Sequence, residues 1–196
     1  MSNYRLIVGL GNPGPEYAGT RHNIGFRVLE HLGPVDSHWK VKNKSQYLET
    51  SVNSKPVTLI KPTTFMNLSG ESVVAWANFF KLEPSQIVVV HDEIDLPFSR
   101  LRLAQAGGDG GHNGLKSIAQ LLGSKDFIRL RVGVGRPFYK IPEASGVAAD
   151  WVLGSFDAQE KAELPKLIER AAAALEELIS SDLKTAQTKF NSRETV

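Results

Sequence analysis

Ile87-Val88-Val89-Val90-His91-Asp92-Glu93 is the stretch whose reading decides the fold class. Four consecutive apolar, mostly β-branched residues read as a strand covered on both faces, as in the interior of a parallel sheet. The polar residues that follow mark its carboxyl end, the edge where open α/β sheets gather functional groups. Outward from this strand, strand-like and helix-like runs alternate. Leu6 to Leu10 is a short apolar strand ending in a glycine-proline turn, and Ile24, Val28, Leu29 and Leu32 form a helical stripe stopped by Gly33-Pro34. Tyr47 to Val52 and Val57 to Ile60 flank Asn53-Ser54-Lys55-Pro56 as a hairpin or meander. Val73, Trp76, Ala77 and Phe80 predict one more helix, and Leu115, Ile118, Ala119 and Leu122 another. Ile128, Leu130, Val132 and Val134 line one face of a further strand, with Arg129 and Arg131 on the other. Asp157-Ala158-Gln159-Glu160 is a capping box that opens a long amphipathic helix. The expectation is a single-domain, three-layer α/β/α sandwich around a mixed, mostly parallel sheet, with Pro137 to Ala149 a loop and 182–196 a polar tail.

Composition narrows the function classes. A chain of 196 residues that is 41% hydrophobic can bury one substantial core, so one domain is the default. The absence of cysteine excludes disulfides and thiolate chemistry and fits a cytoplasmic protein. Met1-Ser2-Asn3-Tyr4-Arg5 lacks the basic-apolar-small pattern of a signal peptide, and no apolar run approaches the ~20 residues needed to span a bilayer. With a formal net charge of +2, a polyanion would have to be held by a local basic patch.

Gly9-Leu10-Gly11-Asn12-Pro13-Gly14 matches the glycine fingerprint of dinucleotide sites and follows a strand. In such sites the helix begins inside the motif, so that its first amides face the pyrophosphate. Here Pro13 and Pro15 frame a turn, and helical periodicity starts only near Asn23. A turn that folds the chain over the sheet edge is the better reading, and no cofactor is expected. A metal site built on His91, Asp92 and His112 is disfavoured because neighbours along a strand, His91 and Asp92, point to opposite faces.

Five polar residues can reach one edge of the predicted sheet. Asn12 follows the first strand, His22 precedes the helix that covers it, and Asn67 lies between a strand and a helix. Asp92 ends the central strand, and Asn113 sits at the start of the next helix. Taken singly, each has an ordinary structural reading as a turn former or cap. Together they supply an imidazole, a carboxylate and three carboxamides, with no Gly-x-Ser-x-Gly elbow: the chemistry of water-assisted ester hydrolysis without a protein nucleophile. The glycine-rich run Gly107-Gly108-Asp109-Gly110-Gly111 is costly in chain entropy unless a backbone must approach something closely.

Four stretches carry a family resemblance. They are Val8 to Gly14 with Thr20-Arg21-His22-Asn23, Lys61 to Gly70, Val90-His91-Asp92-Glu93, and Gly110-Gly111-His112-Asn113-Gly114. In order and spacing they resemble bacterial peptidyl-tRNA hydrolases, enzymes that free tRNA by hydrolysing the ester joining a peptide to its 3′ ribose. The resemblance implies a monomer without metal or cofactor, whose partner is peptidyl-tRNA, bound through its acceptor stem and 3′ end. It implies that His22 is the catalytic histidine and Asp92 its carboxylate. Asn12, Asn67 and Asn113 would be the carboxamides of the cleft, Phe65, Met66 and His112 its walls, and Tyr17 the tyrosine near the ester. Arg131 matches the family's basic residue for the tRNA 5′-phosphate, with Lys116 and Arg102 extending the patch. The second basic residue of the family falls at Ala104, which carries no charge, so Arg102 or Lys140 is the expected substitute.

Overall fold

The computed structural model describes residues 4–136 and 147–191. Seven strands form one mixed sheet: β1 (Leu6–Gly9), β2 (Lys40–Lys42), β3 (Ser45–Val52), β4 (Lys55–Pro62), β5 (Ile87–Glu93), β6 (Leu101–Gln105) and β7 (Ile128–Gly133). Their order is β2-β3-β4-β1-β5-β7-β6. The four central strands run parallel, while β2, β3 and β6 are antiparallel to their neighbours. As its apolar run requires, β5 lies inside the parallel section, and Ile87 through Asp92 are all buried.

Helices cover both faces, as expected of a three-layer sandwich. On one side, α1 (Ile24–Leu32) and α5 (Ala158–Ser180) pack over Ile7, Val88, Val90, Leu130 and Val132. On the other, α2 (Ser69–Phe80) and α3 (Asn113–Leu122) cover Leu6, Val8, Ile60, Val89 and Phe127. The capping box forms as read: Glu160 N–H donates to Asp157 Oδ1 and Asp157 N–H to Glu160 Oε2, both at 2.8 Å. The β3–β4 turn has Asn53 and Ser54 at φ 47° and 65°, the paired left-handed geometry of a tight hairpin.

The glycines of the apparent dinucleotide motif serve packing. A Cβ on Gly25 would stand 2.5 Å from the Leu10 nitrogen and the Val90 oxygen, and one on Gly9 would stand 2.4 Å from the Gly25 oxygen. Helix α1 therefore lies directly on the sheet backbone, and it starts well past the motif. A Gly25→Ala change would gain about 1 kcal/mol of helix propensity. The contacting atoms are backbone and cannot yield, so overpacking wins; a net loss of about 1–3 kcal/mol is expected, read as a lower urea midpoint at unchanged slope.

Several segments differ from the sequence reading, among them β2, which that reading leaves without an element. Leu101–Gln105, given no element there, is the edge strand β6; its short alternation falls between turns and is too brief to register. Val147 to Ala149 belong to a helix, α4 (Val147–Leu153), rather than to a loop; the rest of the expected loop, 137–146, lies outside the described residues, as does Lys140. The polar tail contains α6 (Leu183–Phe190), capped by Asp182, with Ala186 and Phe190 buried. Asn191, just past α6, closes the β6 edge. The Leu103 N–H donates to its Oδ1 at 2.7 Å, and its Nδ2 donates to the Leu103 oxygen at 3.0 Å. The opposite edge is the three-residue β2, Lys40-Val41-Lys42, fully exposed.

Candidate active site

The carboxyl ends of β1, β4 and β5 open onto a cleft of about 730 Å³. Asn12, His22, Asn67, Asp92 and Asn113, the five residues expected at one edge, all line it, as do Phe65, Met66 and His112. The floor is acidic and aromatic, and Ala148, Ala149, Val152 and Leu153 of α4 form an apolar wall.

Asp92 anchors the floor. Its Oδ1 accepts from His22 Nδ1 at 2.8 Å and from His112 Nε2 at 3.0 Å. Burial works against its charge, but His112 and then His22, through charge and hydrogen bonds, hold the carboxyl well below the usual carboxylate range. The tautomers follow from the network. His112 caps α3 by accepting from the Gly114 and Leu115 N–H groups on Nδ1, at 3.1 and 3.4 Å, so its proton sits on Nε2. His22 gives its Nδ1 proton to Asp92, which leaves the Nε2 lone pair as its basic position.

His22 stands on a 3-10 turn, Arg21–Asn23, and its side chain is only 11% exposed, enough to reach the cleft. His112, not Asn113, is the cap of α3, so the Asn113 side chain is released from capping and sits exposed at the cleft. Asn67 is likewise exposed at the rim, on the 3-10 turn Met66–Leu68 that leads into α2. Asn12 is held tightly. Its Oδ1 accepts from the Met66 N–H at 2.8 Å, which orients the carboxamide and turns its NH₂ away from Met66. Its backbone is clamped at both groups by Asn23: Asn12 N–H donates to Asn23 Oδ1, and Asn23 Nδ2 donates to the Asn12 oxygen, each at 2.9 Å. Asn23 escaped the sequence reading as a site residue. Its place beside His22 was the available signal, but only the fold brings it against Asn12.

Tyr17 does not line the cleft. It meets Phe65 edge-on, with ring centroids 6.4 Å apart, and so borders the cleft through that wall residue. His91 is fully buried, donates from Nδ1 to the Asp92 oxygen at 2.7 Å, and is pushed down to about 3 by burial and by His112, which keeps it neutral. Among the described residues, the ligand atoms of His22, Asp92 and His112 all fall within 4.8 Å of one another, a span a divalent cation could bridge; here both histidine nitrogens donate to the shared carboxylate oxygen.

The basic residues part company. Arg129, read as sharing the polar face of its strand with Arg131, is buried: its Nη1 donates to the Ala106 and Gly108 oxygens at 2.6 and 3.2 Å, and its guanidinium lies over Phe127. It props the glycine-rich loop from beneath. A Cβ on Gly107, at φ 114°, would come within 2.9 Å of Arg129 and 3.3 Å of Arg131, the close approach for which glycine was expected there. Arg131 is partly exposed and 3.7 Å from Glu93, and Arg102 is its cross-strand partner on β6. Lys116 is exposed on α3.

Comparison with known proteins shows the family of the chain. Residues 6–196 match the family model described as peptidyl-tRNA hydrolase. A peptidyl-tRNA hydrolase of Renibacterium salmoninarum is 49% identical over 196 residues, covering 97% of this chain and 98% of its own. One from Mycolicibacterium smegmatis is 48% identical over 190 residues, covering 95% and 97%. The crystal structure of peptidyl-tRNA hydrolase from Acinetobacter baumannii is similar with a TM-score of 0.88 at 36% identity, covering all of this chain and 98% of that one.

Proposed function

Because this chain belongs to the peptidyl-tRNA hydrolase family, we propose that it hydrolyses the peptide–ribose ester of peptidyl-tRNA by direct attack of water activated on His22. The observation that carries this reading is the make-up of the cleft. No described lining residue bears a hydroxyl, thiol or amine, whereas His22 presents a ring nitrogen whose partner is fixed on a buried carboxylate.

The steps follow from that arrangement. His22 Nε2 takes a proton from water, and the oxygen attacks the ester carbonyl carbon. Asp92, ionised and fixed by two donors, stabilises the imidazolium that forms. The oxyanion of the tetrahedral intermediate needs preorganised donors, and the NH₂ of Asn12 is suited because its orientation is set before substrate arrives. Collapse breaks the bond to the 3′ oxygen, which takes the proton from His22, giving free tRNA and a peptide carboxylic acid that loses its proton to solvent. Asn113 and Asn67 at the rim would hold the peptide backbone, and Phe65, Met66 and His112 would wall the ester, with Tyr17 against Phe65. Selectivity for peptidyl over aminoacyl esters follows if a carboxamide oxygen accepts from the first peptide N–H, since a free ammonium places a charge there.

Arg131 and Arg102, paired across β6 and β7, and Lys116 are proposed to meet the tRNA backbone; Arg102 would compensate for Ala104. Among the described residues no helix is long and apolar enough to cross a membrane. The protein is proposed to act as a cytoplasmic monomer.

The test separates direct from covalent hydrolysis. Enzyme quenched in acid during single turnover of N-acetylaminoacyl-tRNA should show unchanged mass. An acyl adduct on the protein would refute the water mechanism.

A further inference from the structure

Arg21, the neighbour of His22, is a buried cation that the reaction itself does not use. It reaches away from the cleft to the segment where α4 ends and α5 begins. Its Nη2 donates to Glu160 Oε2 at 2.7 Å, and its Nη1 to the Ser155 and Trp151 oxygens at 2.7 and 3.4 Å. Its guanidinium stacks on the Trp151 ring, 3.7 Å from the centroid. The backbone adds a second tie, from Arg21 N–H to the Gly154 oxygen at 3.1 Å, and Thr20 bridges to Ser155. Glu160 Oε2 serves two partners, since it also accepts from Asp157 N–H in the α5 capping box.

We propose that Arg21 is a positioning residue for the hydrolysis: by locking the His22 turn to the α4–α5 junction, it fixes the distance between the base and the α4 wall of the cleft. The inference rests on His22 being the base. Its physical ground is that the turn has only three residues and no side-chain cap of its own, so its placement depends on what holds its flanks. Arg21 supplies a rigid, planar fork with fixed donor directions, which lysine cannot reproduce. Val152 and Leu153 lie on the α4 wall, one and two residues past Trp151, so a shift at the junction would move wall and imidazole relative to one another.

Kinetics on N-acetylaminoacyl-tRNA, with circular dichroism and thermal unfolding of each variant, test the idea. Arg21→Met should lower kcat about 10- to 100-fold with KM held within about threefold, as expected when a reacting group is misplaced while substrate contacts persist. Arg21→Lys should recover part of the loss, because the cation over Trp151 returns without the fork. Glu160→Gln, which keeps an acceptor for the capping box, should give a smaller loss with the same kcat signature. Wild-type kcat in folded Arg21→Met, a defect confined to KM, or a loss equal to the unfolded fraction would overturn the proposal. If Arg21→Met does not fold, Glu160→Gln decides, and wild-type kcat there overturns it. His22→Ala, measured alongside, isolates the premise: turnover in that variant would refute the base assignment whatever Arg21 does.

Discussion

His22→Ala should leave a folded protein whose kcat for release of labelled N-acetylaminoacyl product from tRNA is lower by about 10²–10⁴-fold, the usual worth of a positioned general base. The structure explains why folding should survive. The ring sits at the cleft edge, Asp92 keeps its second donor in His112, and water can enter from the cleft to replace the first. The stability cost should stay under about 2 kcal/mol, roughly that of one hydrogen bond to a charged group. Circular dichroism should match wild type. Turnover near the wild-type rate would remove His22 from the mechanism.

Asp92→Asn should be at least as damaging, with a kcat loss of roughly 10⁴-fold if the carboxylate acts here as in hydrolytic triads. One oxygen accepts from two imidazoles. A carboxamide can keep that oxygen in place, but it is neutral and a weaker acceptor, and its NH₂ brings donors where the second carboxylate oxygen lay. The charge that steadies the imidazolium is also lost. A linked pH effect gives an independent measure. The folded-state value of Asp92 is depressed, so its contribution to stability is fully present above the unfolded carboxylate value, about 3.9, and is lost as pH falls below it. Urea denaturation between pH 5 and 3 should therefore show wild type losing stability more steeply than Asp92→Asn. Equal slopes would mean that the carboxylate is not held by the two histidines.

How much of this was legible in the sequence depends on the reach of the forces involved. Helix α1, strand β5 and the α5 capping box are local patterns, and periodicity or spacing reveals them. The gathering of Asn12, His22, Asn67, Asp92 and Asn113 could be inferred from strand ends because a parallel sheet aligns them. Burial could not. Arg129 has the same alternation as Arg131, yet the glycine-rich loop folds over it and takes its donors. His112 and Asn113 are adjacent, and only the hydrogen bonds reveal which one caps α3. Asn23 and Arg21 act through partners 11 and more than 130 residues away, contacts that no local window contains.

Each of the two borders of the sheet carries a feature that opposes pairing with a further strand. Asn191 imitates a neighbouring chain at Leu103, offering one carbonyl oxygen and one amide NH₂ where another backbone would otherwise dock, while Lys40 and Lys42 guard the far side with charge. The residue that follows α6 thereby occupies the Leu103 backbone groups that a further strand would need for pairing.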